Sequence, residues 1–396
     1  MSAPEDRNQA APAQCILCGK CLAVCPLLAA TGREELAPRA KARLAARLLE
    51  HPEALDGRDA AQLAALCLGC GRCVQACGQG VEPPAIVARL RAAHPGWREW
   101  LWKQWIGRAE KIWPPAFKAG KYLGRAPESL FPGRFGALLK SLRGLDRPHL
   151  DAYVRLTARP KELDTAVTQA DGPCEVLLFS GCAGRFARPD WDASARRLLA
   201  FLGLPRLEAD FACCGSTLGS AGLLAEQRAA RERNVEIWRA AGRPPLLAYC
   251  ASCVQGLARY AGEPELFEDA GEAALWRARV MPLSRLLKSA RFVVSDDAPG
   301  VVGYHRPCHA SEPDEDFALL RAALGGRLHP LPDQCCGFGG PLRLAAPELA
   351  DAVAARRAES LGSAEQVLTG CTACALELAS DAPESTATGH WLEIFM

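Results

Sequence analysis

Cysteine is the residue type whose spacing indicates chemistry in this sequence. The chain holds 19 cysteines in 396 residues, and all but one fall into four groups of matched spacing. Thiolates that recur at short fixed intervals are ligands of zinc ions and of iron–sulfur clusters. The four groups are therefore candidate metal sites, and the elements that carry them decide how the sulfurs are arranged.

Two groups near the start of the chain share the spacing C-x2-C-x2-C-x3-C. In this spacing three thiolates hold one [4Fe-4S] cluster, and the fourth reaches the neighbouring cluster. We therefore predict two crossed ligand sets. The first cluster is assigned Cys15, Cys18, Cys21 and Cys77, and the second is assigned Cys67, Cys70, Cys73 and Cys25. Structural zinc is the alternative, but zinc would use two C-x2-C pairs and leave the remaining thiols unexplained.

The other two groups hold five cysteines each and lie in an internal repeat. VLLFSGC at 176–182 matches VVGYHRPC at 301–308, and the later parts match at a similar offset. The order of strand, Cys, helix, Cys pair, helix, strand and Cys pair occurs twice, which predicts a duplicated α/β unit with parallel crossovers. The first set is Cys182, Cys213, Cys214, Cys250 and Cys253, and the second is Cys308, Cys335, Cys336, Cys371 and Cys374.

Five thiols exceed what a zinc ion or an ordinary cubane cluster needs. Neighbouring side chains in extended backbone diverge, so an adjacent cysteine pair is poorly suited to holding a single iron. Each set suits a larger or split cluster. A redox-active disulfide between adjacent cysteines, or the loss of some ligands, is the alternative, although it does not explain the duplication.

Changes in composition and in the pattern of apolar residues divide the chain into four parts. Residues 1–95 carry the first two cysteine groups on a predicted helical domain, and residues 96–170 form a Trp-rich helical connecting arm. Residues 171–299 and 300–396 hold the two repeats, in which buried strands alternate with amphipathic helices. We predict a multidomain α+β fold.

These motifs carry a family resemblance that covers nearly the whole chain. The paired C-x2-C-x2-C-x3-C groups resemble bacterial-type two-cluster ferredoxin domains. Their order, followed by the arm, the two CCG repeats and the final GHWLEIF, is similar to the CCG-domain family, which includes glycolate oxidase iron-sulfur subunits and heterodisulfide reductase subunits. The resemblance implies a helical ferredoxin-type 2[4Fe-4S] domain before a duplicated α/β CCG domain. It also implies one or two noncubane [4Fe-4S] clusters at the CCG sites.

The resemblance implies an iron-sulfur electron-transfer subunit that is inactive alone, within a glycolate dehydrogenase or oxidase type of complex. An FAD-binding partner subunit would oxidise a 2-hydroxyacid such as glycolate or lactate, and electrons would reach a quinone or carrier. The Gly-rich stretches do not fit a dinucleotide fingerprint, so FAD is expected on the partner. The alternative is a heterodisulfide reductase-like catalytic subunit that reduces a disulfide at a noncubane cluster.

The net charge and the lengths of the apolar runs limit the partners and the location that we expect for this chain. A formal net charge of +2 at pH 7 argues against nucleic acid as the main partner. The start of the sequence carries no export signal, and no apolar run approaches the length of a membrane span. We expect a cytoplasmic protein; any membrane contact would be peripheral or through a partner, at the cytoplasmic face of the inner membrane.

Three weaker features complete the sequence. His305 and His309 flank Cys308 and can ligate iron or deliver protons, although a hydrogen-bonded loop role is the simpler interpretation. Cys174 belongs to none of the groups and is predicted to be a small buried side chain rather than a ligand. The Trp-rich stretch 97–113 is predicted to pack on its own domains, with a docking surface as the alternative.

Overall fold

The first part of the chain folds into short helices. The computed structural model describes residues 15–123, 149–169, 172–383 and 385–396. The helices are α1 Pro26–Thr31, α2 Pro38–Glu50, α3 Gly57–Ala65, α4 Arg72–Gln75 and α5 Pro83–Ala93. Proline occupies the first turn of α1, α2 and α5, where the missing N–H would have had no helical partner.

Helices α2, α3 and α5 pack through small and branched apolar side chains. Their shared core consists of Ala45, Leu48, Ala60, Ala64, Val87 and Leu90. The buried side chain of Arg91 on α5 donates hydrogen bonds to three carbonyls at and after the end of α3, those of Ala64, Ala65 and Cys67. These bonds satisfy carbonyls that the end of α3 leaves free, and they hold the second cysteine group against α5.

Two helices of the predicted connecting arm follow, α6 Trp97–Gly107 and α7 Ala109–Leu123. Over residues 97–116, where side chains are described, the buried ones are those of Trp102, Ile106, Ala109 and Trp113. Trp97 and Trp100 are 56% and 61% exposed. The arm therefore packs on its own protein along one face, while the docking alternative concerns the two exposed tryptophans. Residues 124–148 of the arm lie outside the described residues.

Each repeat contains a four-stranded parallel sheet, as predicted. The first sheet has the order β5-β4-β6-β7, with β4 Val176–Phe179, β5 Arg206–Leu207, β6 Leu246–Ala248 and β7 Val280–Pro282. The second has the order β10-β9-β11-β12, with β9 Val302–His305, β10 Leu328–Pro330, β11 Gln366–Thr369 and β12 Ala387–His390. Strands β4, β6, β9 and β11 are buried at every residue because helices cover both faces of each sheet.

The helices of the two repeats follow the same order. The first repeat has α8 Pro189–Leu202, α9 Ser216–Ser220, α10 Leu224–Ala240, α11 Ala251–Ala258 and α12 Ala270–Arg279. The second has α13 Glu315–Leu324, α14 Leu342–Ala345, α15 Pro347–Leu361 and α16 Thr372–Asp381. The predicted α+β fold with a duplicated α/β unit is confirmed. Among the described residues, no helix combines the length and the apolar character needed to cross a membrane.

Two antiparallel ribbons and the C-terminal segment join the parts. Strand β1 Val154–Ala158 pairs with β8 Arg291–Val294, and β2 Thr168–Gln169 pairs with β3 Gly172–Pro173. The buried carboxylate of Glu393 accepts hydrogen bonds from the backbone N–H of Leu150 at 2.9 Å and from the indole of Trp191 at 2.8 Å. The GHWLEIF segment therefore ties the second repeat to helix α8 of the first.

Candidate functional site: a continuous row of cysteine sulfurs

The first cysteine group lies on a surface loop that ends at α1. Cys15 and Cys18 are exposed. Cys21 is half-buried, and its burial raises the pKa of its thiol. Cys25 is the N-cap of α1 and is buried, with its sulfur 3.8 Å from the carbonyl oxygen of Leu36. The loop thus holds three sulfurs near the surface and directs the fourth inward.

The second cysteine group lies on the turn that leads into α4. Gly69 and Gly71 adopt φ angles of 69° and 74°, a left-handed backbone that glycine adopts without strain. This turn brings the backbone N–H of Gly69 to 3.5 Å from Cys67 Sγ. Burial raises the pKa of both Cys70 and Cys73 to about 12. These thiols therefore ionise near neutral pH only with a cation bound beside them.

The structure brings together the four cysteines that were assigned to the second cluster. Cys25, Cys67, Cys70 and Cys73 line one largely apolar cavity between α1, α2 and α5. Four thiols around one enclosed space, with a backbone N–H aimed at one sulfur, fit a cubane cluster. Cys77 follows α4 and is half-buried, and its place in the first cluster remains a prediction.

The five cysteines of the first repeat lie where strands end at the carboxyl edge of the sheet. Cys182 follows β4, and Cys250 follows β6 as the N-cap of α11. Hydrogen bonds with Cys182 and Cys214 raise the pKa of Cys213 well above its usual range. The backbone N–H of Gly215, at a φ of 79°, lies 3.4 Å from Cys213 Sγ.

The second repeat arranges its cysteines in the same way around Cys336. Hydrogen bonds from Cys335 and Cys374 lower the pKa of Cys336 well below its usual range, with a further contribution from His305. The sulfurs of Cys374 and Cys336 are 3.1 Å apart, and the backbone N–H of Gly337 lies 3.4 Å from Cys335 Sγ.

The sequence predicts that the two five-cysteine sets are separate sites. In the structure they lie next to each other, because the C-x2-C motifs of the two repeats face each other. Thr372 Oγ1 donates to Cys250 Sγ at 3.2 Å, and Ser252 Oγ lies 3.2 Å from Cys371 Sγ. Nine cysteine thiols form one row in which each thiol shifts the pKa of its neighbours. In order, they are those of Cys182, Cys213, Cys214, Cys253, Cys250, Cys371, Cys374, Cys336 and Cys335.

The row continues into the ferredoxin-type domain. Burial raises the pKa of the half-buried Cys308, and the charge of Cys70 raises it further. The charge of Cys70 also raises the pKa of Cys335. Arg72 lies at this junction, 9% exposed, and its guanidinium donates to Asp333 Oδ1 at 2.8 Å. A fixed buried cation beside sulfurs from both domains favours their negatively charged forms. The structure therefore places the second cubane pocket directly against the second repeat.

At its other end the row opens to the surface in a cleft of about 580 Å³. Cys182 and Cys213 form part of its wall, together with Phe186 and Phe211. Its cationic lining side chains are those of Lys103, Arg108, Arg185 and Arg233. The sequence offered no signal for this cleft because its walls come from the arm and from three separate stretches of the first repeat.

The two histidines and the ungrouped cysteine have different surroundings in the structure. His305 is the last residue of β9 rather than a loop residue, and it lies next to the buried thiols Cys336 and Cys374. The Nδ1 atom of His309 shares a hydrogen bond of 2.9 Å with Ser252 Oγ. Cys174 is buried in the main hydrophobic core of the described residues, which Cys182 and Cys213 touch only at its margin.

Family comparison agrees with this arrangement. Residues 12–81 match the 4Fe-4S dicluster domain, and residues 176–258 and 302–379 match the cysteine-rich domain known as CCG. The matched ranges contain all the predicted ligands. The dicluster domain implies two [4Fe-4S] clusters, and the cysteine-rich domains indicate further iron-sulfur sites.

Three relatives are similar over much or part of the chain. The glycolate oxidase iron-sulfur subunit of Escherichia coli (strain K12) is 25% identical and aligns over 96% of this chain and 92% of that protein. A dihydromethanophenazine:CoB–CoM heterodisulfide reductase subunit of Methanosarcina acetivorans is 26% identical over 91% of this chain and 86% of that protein. Lactate utilization protein A of Geobacillus thermodenitrificans is 29% identical over 42% of this chain and 73% of that protein. The chain therefore belongs to the family of oxidoreductase iron-sulfur subunits that join a 4Fe-4S dicluster domain to two cysteine-rich domains, the family of glycolate oxidase iron-sulfur subunits and their heterodisulfide reductase relatives.

Proposed function

We propose that this chain is the electron-transfer subunit of a flavin-dependent 2-hydroxyacid dehydrogenase complex of the glycolate or lactate type. It would accept electrons from an FAD-binding partner subunit and deliver them to a quinone or another carrier, in the cytoplasm or at the cytoplasmic face of the inner membrane. The observation that carries the proposal is the sulfur row, which runs from the cleft at Cys182 to Cys335. The cysteines of the ferredoxin-type domain continue it to the exposed loop of Cys15 through charge effects of Cys70 on Cys335, of Cys21 on Cys73 and of Cys15 on Cys21.

The residues divide into four candidate cofactor sets. The crossed cubane sets are Cys15, Cys18, Cys21 and Cys77, and Cys67, Cys70, Cys73 and Cys25, while each five-cysteine set of the repeats would hold a further, noncubane cluster. When bound, such clusters take up and release single electrons. The protein's part is to hold the sulfurs close together, to exclude water by burial, and to direct N–H groups at them from Gly69, Gly215 and Gly337.

Anaerobic purification of the complex from its native host, with metal analysis, tests this function. We expect iron and acid-labile sulfide on this chain, a co-purifying flavoprotein, and dye reduction that depends on a 2-hydroxyacid. A matched complex that carries Cys70→Ser in this chain should keep the flavoprotein but lose most of the dye reduction. A preparation with no flavoprotein and no 2-hydroxyacid-dependent activity would contradict the proposal.

The cleft favours a second candidate function, the reduction of a disulfide substrate at the first five-cysteine set. Its volume admits a small molecule, and its wall includes Cys182 and Cys213. The heterodisulfide reductase relatives make a sulfur substrate chemically reasonable. Adding a thiol to the oxidised protein should then produce a new paramagnetic state, and substituting Arg185 in the cleft should weaken the response. An unchanged spectrum would count against this second function.

A further inference from the structure

The two repeats differ at one buried position beside their cysteines. Phe179 is the last residue of β4, and His305 is the last residue of β9. Phe179 lies opposite Ala248 in one sheet, and His305 lies opposite Thr369 in the other. Ala248 and Thr369 each precede the C-x2-C motif of their repeat by two positions. The two side chains therefore occupy equivalent places, one apolar and one able to donate a nitrogen.

The surroundings of the two side chains also differ: Phe179 has an aromatic neighbour, and His305 has thiol neighbours. Phe179 packs on Phe211, with the ring centroids 5.3 Å apart. His305 is 3% exposed, and one of its ring nitrogens lies within 4.8 Å of the sulfurs of both Cys336 and Cys374, which are themselves 3.1 Å apart. A nitrogen and two sulfurs at these separations can reach one metal centre.

The imidazole of His305 also has a bonding site to fill. Among the described residues, its Nε2 has no hydrogen-bond partner although it is buried. A buried polar atom without a partner is energetically unfavourable. Iron is a suitable partner, because neutral imidazole binds it readily.

The first cysteines of the two sets also have different surroundings. Cys182 raises the pKa of Cys213 within the first set. Its counterpart Cys308 has its pKa raised by burial and by the charges of Cys70 and Cys336, so it lies between the second set and the ferredoxin-type domain. The two sets therefore differ at two positions, those of Cys308 and His305.

On the basis of the proposed iron-sulfur function, we propose that His305 binds iron through its imidazole at the second five-cysteine set. The second site is then a mixed cysteine and histidine site, whereas the first is an all-cysteine site. An added imidazole brings no negative charge to the iron, whereas a thiolate at the same place would. Replacing His305 with cysteine should therefore lower the reduction potential of the second site.

Pulsed electron paramagnetic resonance on the full chain, labelled with 15N-histidine and purified anaerobically, tests this ligand. We expect a hyperfine coupling of the size given by a metal-bound imidazole nitrogen. His305→Phe, which copies Phe179 of the first repeat, should abolish it. His309→Gln is the matched control, because it alters the neighbouring histidine and should leave the coupling in place.

A second variant keeps the test independent of folding. His305→Cys should retain the iron content of the wild-type chain, lose the histidine coupling, and shift one midpoint potential to a more negative value. Iron at the second set without a metal-bound histidine coupling, or a coupling that persists in His305→Phe, would overturn this proposal alone. Absence of iron from both five-cysteine sets would overturn it together with the cofactor assignment of the proposed function.

Discussion

Cys25 is the residue on which the crossed arrangement of the two cubane sites depends. It follows Cys21 by four positions, yet α1 begins immediately after it and carries its sulfur into the cavity of the second group. Cys174 is buried to a similar extent, but it lies outside that cavity. Burial alone therefore does not make a cysteine a ligand, and the shared cavity is the distinguishing feature.

Substitution of Cys25 tests the crossed arrangement. Cys25→Ser should remove about four iron atoms, the content of one [4Fe-4S] cluster, because serine does not replace thiolate as a ligand of soft iron-sulfur centres. Cys70→Ser should abolish the same spectroscopic signal. Iron analysis and electron paramagnetic resonance of the reduced protein provide the measurement. Cys174→Ser is the control and should retain all iron, and full retention in Cys25→Ser would show that the crossing is wrong.

His390 is a single residue whose burial predicts a pH dependence. It is fully buried at the end of β12, and its Nδ1 accepts a hydrogen bond from the backbone N–H of Leu392 at 3.3 Å. Burial lowers the pKa of His390 to about 4. The unfolded chain takes up the proton near pH 6.5 and the folded chain does not, so stability is present above pH 6.5 and is lost as the pH falls towards 4.

Between pH 7 and pH 5 this residue should reduce the free energy of unfolding by about 2 kcal/mol. His390→Asn preserves an acceptor for the N–H of Leu392 and should flatten this part of the pH dependence. Anaerobic thermal unfolding at the two pH values measures the effect. His94→Gln, at the C-terminal end of α5, is the control and should keep the wild-type slope. An equal slope in His390→Asn would contradict the assignment.

At the scale of elements, the contact between α5 and the turn after α9 holds the ferredoxin-type domain against the first repeat. Gly222 lies in that turn at a φ of 81°, and a Cβ there would lie 2.6 Å from the Cβ of Arg91 and 2.8 Å from the backbone nitrogen of Ala92. No side chain fits between the two elements. A glycine is therefore required both by the backbone conformation and by the close approach.

Two alanine substitutions separate these requirements. Gly242 has a similar φ of 85° but nothing within 4 Å of the added Cβ, so Gly242→Ala should cost about 1 kcal/mol of stability through backbone strain alone. Gly222→Ala should cost roughly 3 kcal/mol, because the overlap with α5 adds to the strain. Thermal unfolding of both variants measures the difference. Equal losses would mean that the two elements separate without cost.

At the scale of the whole molecule, the sulfur row connects two different surfaces. One end lies in the cleft of the first repeat. Beyond the other end, at Cys335, the cysteines of the ferredoxin-type domain lead to the loop of Cys15 and Cys18. Ile16 and Leu17 on that loop are 63% and 45% exposed, although both are large and apolar. Apolar side chains next to an exposed ligand loop are suited to contact with a redox partner.

The double variant Ile16→Ser and Leu17→Ser should weaken reduction of this chain by its flavoprotein partner by about tenfold, the result of losing roughly 1–2 kcal/mol of apolar contact. The dependence of the reduction rate on the concentration of this chain measures the effect. Val293→Ser is the matched control, since Val293 is 47% exposed but lies on β8, a strand that carries no cysteine. An unchanged concentration dependence in the double variant would exclude this loop as the contact.

Local spacing alone was enough to predict much of this molecule. The grouping of the cysteines and the alternation of buried strands with helices depend on residues within a few turns of one another. The duplication is the same local pattern occurring twice, and the structure agrees with all three. Backbone geometry makes such short-range patterns nearly independent of the rest of the chain. For the same reason the sequence alone already predicts which thiols are available as ligands.

Only the tertiary structure decided which groups of residues meet. It brought Cys250 against Cys371, 121 positions apart, and it placed Arg72 and Cys70 beside the second repeat. It also showed that His305, which was expected to lie in a loop, is the buried last residue of β9. These contacts depend on how sheet edges and domains pack against each other. Packing requires complementary surfaces from distant parts of the chain, and residue spacing within one segment does not show that complementarity.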